Sequence, residues 1–251
     1  MCKIALQLWT LNNMAEKDFL GTLRRVADLG YEGVEFAGFF EAPAMAVKKM
    51  MEEKKLTAAG SHVPLSEFAP DRIESVFRYH EQIGNRLLVV PWLPQGMRTT
   101  ADDFKRLAET FNQLGQQCKE AGFMFAYHNH DFEFQKFGGL TGFDILFTET
   151  DPQLVKMELD IYWAEYSGFN AVQLMKKYRD SLIALHLKDM KRVNGKAVST
   201  EVGAGSLDIP AIVALANEWN LSWLIVEQEE FDYDPMRSVH QSLAYLQGKL
   251  K

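Results

Sequence analysis

Eight short runs of apolar and β-branched residues recur along this chain, each separated from the next by a longer stretch of helical periodicity. They are Lys3–Thr10, Gly33–Phe36, Thr57–Val63, Leu87–Trp92, Phe123–His130, Val155–Ile161, Ile183–Lys188 and Trp223–Glu229. Successive starts lie 24 to 40 residues apart, which suits one strand–helix unit each. Between them, residues 16–29 place Phe19, Leu20, Leu23, Val26 and Ala27 on one helical stripe, with Gly30 as a stop signal. Residues 102–121 repeat the pattern through Phe104, Leu107, Ala108, Phe111 and Leu114 and end at Gly122, and residues 71–83 end at Gly84. Asp208-Ile209-Pro210 opens a further helix, because Asp caps free N–H groups and Pro is tolerated in the first turn. A last helix is expected near residues 235–246, with Gly248 just beyond it.

Strict alternation of strand and helix implies a parallel sheet covered by helices, and eight units imply that the sheet closes. The expected fold class is α/β, a single (β/α)8 TIM barrel spanning residues 1–251 as one domain; 251 residues match the roughly 250 such a barrel takes. An open doubly wound sheet usually has fewer strands and often a glycine-rich first turn. Here that turn reads Trp9-Thr10-Leu11-Asn12-Asn13, and the GxGxxG and GxxxxGK[ST] phosphate loops are both absent.

Composition narrows the partners. The formal charge of -7, with Lys and Arg scattered, argues against nucleic acid. The densest basic cluster, Lys188, Lys191, Arg192 and Lys196, reads mostly as a solvated loop. Cys2 and Cys118 have no metal-like spacing and read as free thiols. Without a long apolar run, no membrane partner is expected. Without a basic, apolar leader at the N-terminus, a cytoplasmic location is expected. Self-association into a homo-oligomer is compatible with the sequence.

In a parallel barrel, chemistry gathers at the C-terminal ends of the strands. Those ends carry Glu35, His62, Trp92, His128 and His130 (with Glu133 just beyond), Asp160 and Trp163, His186 and Lys188, and Glu227 and Glu229. Four of the six histidines fall there; His80 and His240 do not. Asp160, His186 and Glu227 lie on three consecutive strands and meet only if they point inward. An unpaired carboxylate buried there would be very costly, so a divalent cation is the natural partner. Mixed imidazole and carboxylate donors favour Mn²⁺, with Zn²⁺, Co²⁺, Fe²⁺ or Mg²⁺ also compatible. Residues two apart on a strand share a face. His130, Lys188 and Glu229 therefore lie one layer nearer solvent than His128, His186 and Glu227, and Glu158 lies one layer deeper than Asp160, as an expected supporting partner.

The chain resembles the xylose isomerase-like barrel family, which includes sugar phosphate isomerases and epimerases, inosose dehydratases and endonuclease IV-type enzymes. The resemblance rests on Gly30-Tyr-Glu-Gly-Val-Glu-Phe36, Ser61-His-Val-Pro64, Tyr127-His-Asn-His-Asp-Phe-Glu-Phe134 and Leu159-Asp-Ile-Tyr-Trp163. It continues in His186-Leu-Lys-Asp189, Glu201-Val-Gly-Ala-Gly205 and Val226-Glu-Gln-Glu229. It implies a metal held by a Glu on strand five, an Asp on strand six, a His on strand seven and a Glu on strand eight. The last three correspond to Asp160, His186 and Glu227. On strand five His128 stands where many members have the Glu: either His128 replaces it, or Glu133 reaches back, or water completes the site. Trp163 departs from the His that epimerase-like members often carry there.

The expected activity is that of a metal-dependent isomerase or epimerase, acting on a sugar or keto-polyol through an enolate. Glu227 is the candidate base, and His130 or Lys188 the candidate proton relay. Trp9, Glu35, His62, Trp92, Glu133, Trp163 and Glu229 are candidate substrate contacts. A lyase of the inosose dehydratase type is the alternative, and a non-catalytic sugar-binding barrel the second alternative. An endonuclease IV-like role is disfavoured by the charge.

Overall fold

The computed structural model describes residues 1–249. Eight parallel strands close into a barrel: β1 (Lys3–Gln7), β2 (Gly33–Phe36), β3 (Thr57–His62), β4 (Leu87–Val90), β5 (Met124–His128), β6 (Val155–Asp160), β7 (Leu182–Leu187) and β8 (Trp223–Val226). Each pairs with its sequence neighbour, and β8 pairs back onto β1. The (β/α)8 architecture is therefore the one the alternation predicts. Several strands stop earlier than the apolar runs do. The run after Gln7 turns into a 3-10 helix over Leu8–Leu11, and strand pairing on β8 ends at Val226, because the chain leaves the sheet there to form the mouth.

A helix follows each strand, and the ends of these helices are set by local chemistry. Asp18, Asn170 and Asp208 accept hydrogen bonds from backbone N–H groups of the helices they precede. Thr100 with Asp103, and Thr141 with Asp144, form reciprocal capping boxes. Gly30 ends the first long helix in the left-handed region at φ 102°, where a side chain would be strained. The outward faces of the strands and the inward faces of the helices share one apolar core, with Leu23, Val34, Leu88, Phe111, Phe125, Leu159 and Leu224 buried in it.

The barrel interior has two storeys. Its lower part is apolar: Ala5, Ala59, Ala184, Trp223 and Ile225 form one small cluster, and Leu87, Val89 and Ala126 another. Gly33 admits the Trp223 ring here, since a Cβ at Gly33 would sit 2.7 Å from it. Its upper part is polar and equally sealed, with Gln7, Glu35, Ser61, His128, Glu158, Asp160 and His186 all buried. Burying so many ionisable groups is expensive unless each finds a partner, so this storey is built for something other than stability.

The basic stretch after β7 is not a plain loop. Asp189–Val193 and Lys196–Thr200 pair as an antiparallel hairpin, closed by Asn194-Gly195 at φ 50° and 80°. Such a dipeptide favours a turn whose twist matches the flanking strands. At its root, the Asp189 carboxylate accepts hydrogen bonds from the backbone N–H of Met190, Gly203, Gly205 and Leu207. A Cβ at Gly205 would lie 2.2 Å from that carboxylate, so this glycine lets residues 201–207 wrap around Asp189. The clamp fixes the end of β7, and with it His186 and Lys188.

Candidate metal centre

Strand register brings the three expected ligands together. Asp160 on β6 is level with His186 on β7, and His186 with Ile225 on β8, two residues below Glu227. His186 Nδ1 lies 3.1 Å from Glu227 Oε2. His128 Nε2 lies 3.9 Å from Asp160 Oδ2. One donor atom from each of His128, Asp160, His186 and Glu227 falls within 4.8 Å of all the others, and all four residues are buried. Imidazole nitrogens and carboxylate oxygens are the donor types that hold a first-row divalent ion.

On strand five it is His128 that reaches this cluster. Glu133 is fully buried but turned away: it accepts from the Tyr127 hydroxyl and from the His130 backbone N–H, the latter at 2.9 Å. Burial raises its carboxyl to about 7, partly offset by those hydrogen bonds. It neither joins the cluster nor lines the cavity above it, so the expectation of a substrate contact does not fit its position.

Glu35 too sits elsewhere than expected. It is fully buried beneath the cluster, its Oε2 2.7 Å from His186 Nε2, 3.1 Å from His62 Nε2 and 2.7 Å from Gln7 Nε2. The register slip between Val34 and Glu35, opposite Gly60, makes room for it; a Cβ at Gly60 would approach Glu35 Oε1 to 2.5 Å. Glu158 completes this lower layer, with Oε1 3.0 Å from both His62 Nε2 and His186 Nε2. His186 is therefore gripped at both nitrogens, Nδ1 toward Glu227 and Nε2 toward Glu35 and Glu158. In this arrangement, although burial opposes its charge, Glu158 and Glu35 push its pKa well above the usual value. His62 is raised to about 9, burial being outweighed by Glu35 and Glu158.

Lys188, expected as a proton relay, is pinned instead. Its ammonium lies 2.6 Å from Glu229 Oε1, 2.9 Å from Glu227 Oε2 and 3.4 Å from Asp160 Oδ2, with only 1% of its surface exposed. Burial opposes its charge, but Glu227, Asp160 and Glu229 outweigh it and hold the pKa far above the ordinary lysine value. It keeps its proton and acts as a fixed positive donor. His130 is the opposite case: burial and the nearby Lys188 lower it to about 3, so its ring is neutral at neutral pH.

A cation fits this donor set. Formally, five carboxylates (Glu35, Glu158, Asp160, Glu227 and Glu229) face three cationic side chains (Lys188, His62 and His186). Asp160 Oδ2, Glu158 Oε2 and His128 Nδ1 are buried with no hydrogen-bond partner. Desolvation, reinforced by the nearby Glu227 and partly offset by Lys188, lifts Asp160 to about 6.

Above the cluster opens a cavity of about 550 Å³. Trp9, His62, Trp92, His128, His130, Trp163, Glu227 and Glu229 reach it, so eight of the expected site residues share one space. The Trp163 indole N–H and His130 Nδ1 are buried and unpartnered. Among the described residues, no lysine or arginine lines the cavity.

A profile of the xylose isomerase-like TIM barrel family matches residues 23–249. The chain belongs to that family. Inosose dehydratases are among its curated relatives: one from Clostridium botulinum is 25% identical over 88% of this chain and 87% of its own length. Inosose dehydratase 2 of Bacillus cereus is 25% identical over the same shares. Among solved structures, a sugar phosphate isomerase/epimerase from Parabacteroides distasonis superposes with a TM-score of 0.81 at 28% identity, covering 98% of this chain and 93% of that one. An L-ribulose 3-epimerase shares the fold, with a TM-score of 0.75 at 13% identity. Xylose isomerase-like barrels thus include isomerases, epimerases and dehydratases of small sugars and polyols, and this chain shares their scaffold throughout.

Proposed function

We propose that the protein is a metal-dependent isomerase or epimerase that removes a C–H proton beside the carbonyl of an unphosphorylated sugar or keto-polyol. The observation that carries this reading is the meeting of His128, Asp160, His186 and Glu227 at the base of a tryptophan-lined cavity. Held by those four residues, a divalent cation would polarise the substrate carbonyl as a Lewis acid. Lys188 holds a permanent positive charge against Asp160, Glu227 and Glu229 and so fixes these carboxylates at the base of the cavity. Neutral His130, its Nδ1 free, is placed to take or return a proton. Glu227 and Glu229, both at the cavity wall and both paired with Lys188, are the carboxylate candidates for the second proton-handling role. The Trp163 indole N–H offers a hydrogen bond to a hydroxyl, and Trp faces pack against sugar C–H faces. No lysine or arginine lines the cavity among the described residues, which supports a substrate without a phosphate.

Dehydration is the second reading, supported by the likeness to inosose dehydratases over most of the chain. It shares the first proton removal and differs in expelling a β-hydroxyl. Incubation of the metal-loaded protein with ketoses and inososes in D₂O tests both. Deuterium entering the carbon skeleton of an isomerised or epimerised product supports the first, and loss of water from the skeleton the second. Binding without exchange or turnover would leave a sugar-binding barrel.

A further inference from the structure

The cavity has two chemically different ends. Of its polar side chains, His128, Glu227, His130 and His62 are buried or nearly so, and the more exposed Glu229 is tied to Lys188 at 2.6 Å. Toward solvent, the wall is formed by Trp9 and Trp92, 54% and 48% exposed, together with Pro64, Pro91 and Ala37. Free monosaccharides carry hydroxyls on every side, and a site built for one would surround it with hydrogen-bonding groups. This outer wall offers mainly flat indole and proline faces, on which a second sugar ring stacks as well as an aromatic group does, so a disaccharide has to enter the test.

Size points the same way. At roughly 30 Å³ per water-sized unit, a cavity of about 550 Å³ holds about 18 such units, against about 12 heavy atoms in a hexose. Space remains for a second group once a sugar ring lies against the polar end.

The Trp92 ring has a charged neighbour, and the Trp9 backbone is anchored. Arg98 donates from Nε to the Leu93 carbonyl at 2.9 Å, and its guanidinium lies 5.7 Å from the Trp92 ring centroid, backing that ring. The Trp9 backbone N–H donates to Gln7 Oε1 at 3.0 Å, and the Gln7 amide donates to Glu35. Trp9 is thus tied to the layer that supports His186. Large aromatic surfaces held half in water gain most when a flat apolar ligand covers them.

We infer that the substrate carries an apolar, aromatic group on its sugar or polyol ring, and that Trp9 and Trp92 bind this group at an outer subsite. The inference rests on the sugar or keto-polyol reading of the inner end. Affinity, not turnover, is what tests it.

Calorimetric titration of the metal-loaded protein with 4-nitrophenyl β-D-glucopyranoside, methyl β-D-glucopyranoside and cellobiose is the experiment. The aryl compound is expected to bind about tenfold tighter than the other two, and Trp9→Ala and Trp92→Ala each to reduce that advantage to about threefold or less. Equal affinity for aryl and methyl compounds, a disaccharide binding as tightly as the aryl compound, no measurable aryl binding, or an advantage that survives both substitutions would overturn the subsite. Deuterium exchange separates this result from the functional reading. Exchange into free keto-monosaccharides with no aryl preference removes the subsite alone; aryl preference without exchange into any keto-sugar removes the proposed chemistry alone.

Discussion

His186 Nε2 lies 2.7 Å from Glu35 Oε2, while the opposite ring nitrogen faces Glu227 at 3.1 Å. A histidine that donates one N–H to a carboxylate presents its other nitrogen, as a basic lone pair, in a fixed direction. Glu35 thus orients His186 from below for a cation bound above. Glu35→Gln is expected to leave the barrel folded and to weaken divalent-metal affinity by about ten- to a hundredfold, as loss of such supporting carboxylates typically does. Competition titration with a metallochromic chelator, with circular dichroism as a fold control, checks this; unchanged affinity would remove Glu35 from the support of the site.

Lys188 sits where a cation is needed. Its ammonium contacts Glu227 Oε2 and Asp160 Oδ2, two carboxylates of the candidate metal cluster. Lys188→Met removes that charge and leaves buried carboxylates without it. In chelator the variant should lose about 3–5 kcal/mol of stability, because breaking a buried ion pair strands its partners. That corresponds to a fall of roughly 10 °C in Tm. Excess Mn²⁺ or Zn²⁺ should recover much of the loss. Thermal melts of both proteins with and without metal decide; a variant as stable as wild type in chelator contradicts the pairing.

His80 provides a pH test away from the cluster. It is 3% exposed, receives a hydrogen bond from Asn85 Nδ2 at 3.1 Å, and burial lowers its pKa to about 4. The unfolded chain, with His near 6.5, binds more protons than the folded one between those values. Its share of stability is therefore complete above about pH 6.5 and is lost as pH falls toward 4, by roughly 3 kcal/mol. Urea unfolding at pH 7 and pH 4.5 should show a markedly smaller drop in His80→Gln than in wild type. Equal drops would mean His80 titrates normally.

The barrel is legible in the sequence because its signal is periodic. Runs such as Leu87–Val90 and Val155–Asp160 have to be buried strands, and the spacing allows one helix after each. The convergence of Asp160, His186 and Glu227 follows from pleat and strand order. Depth is harder to read. Glu35 reads as a substrate contact at a strand end because the register slip opposite Gly60, which accompanies its place beneath His186, leaves no mark in a period-two pattern. Glu133 folds back on Tyr127 and His130 through a 3-10 turn, a local contact with no signature of its own. The hairpin after β7 does carry a signal, Asn194-Gly195, but its lysines and arginine suggest a loop. Lys188 falls at a strand end in both sequence and structure, yet its pinning by three carboxylates depends on side chains arriving from β6 and β8.

Metal stoichiometry tests the account most directly. Protein purified in the absence of chelator, or reconstituted with Mn²⁺ or Zn²⁺ and desalted, should hold about one divalent ion per chain by elemental analysis. Asp160→Asn combined with His186→Ala, and the milder Asp160→Asn alone, should hold little or none while circular dichroism shows an intact barrel. Equal metal content in wild type and in both folded variants would contradict the site.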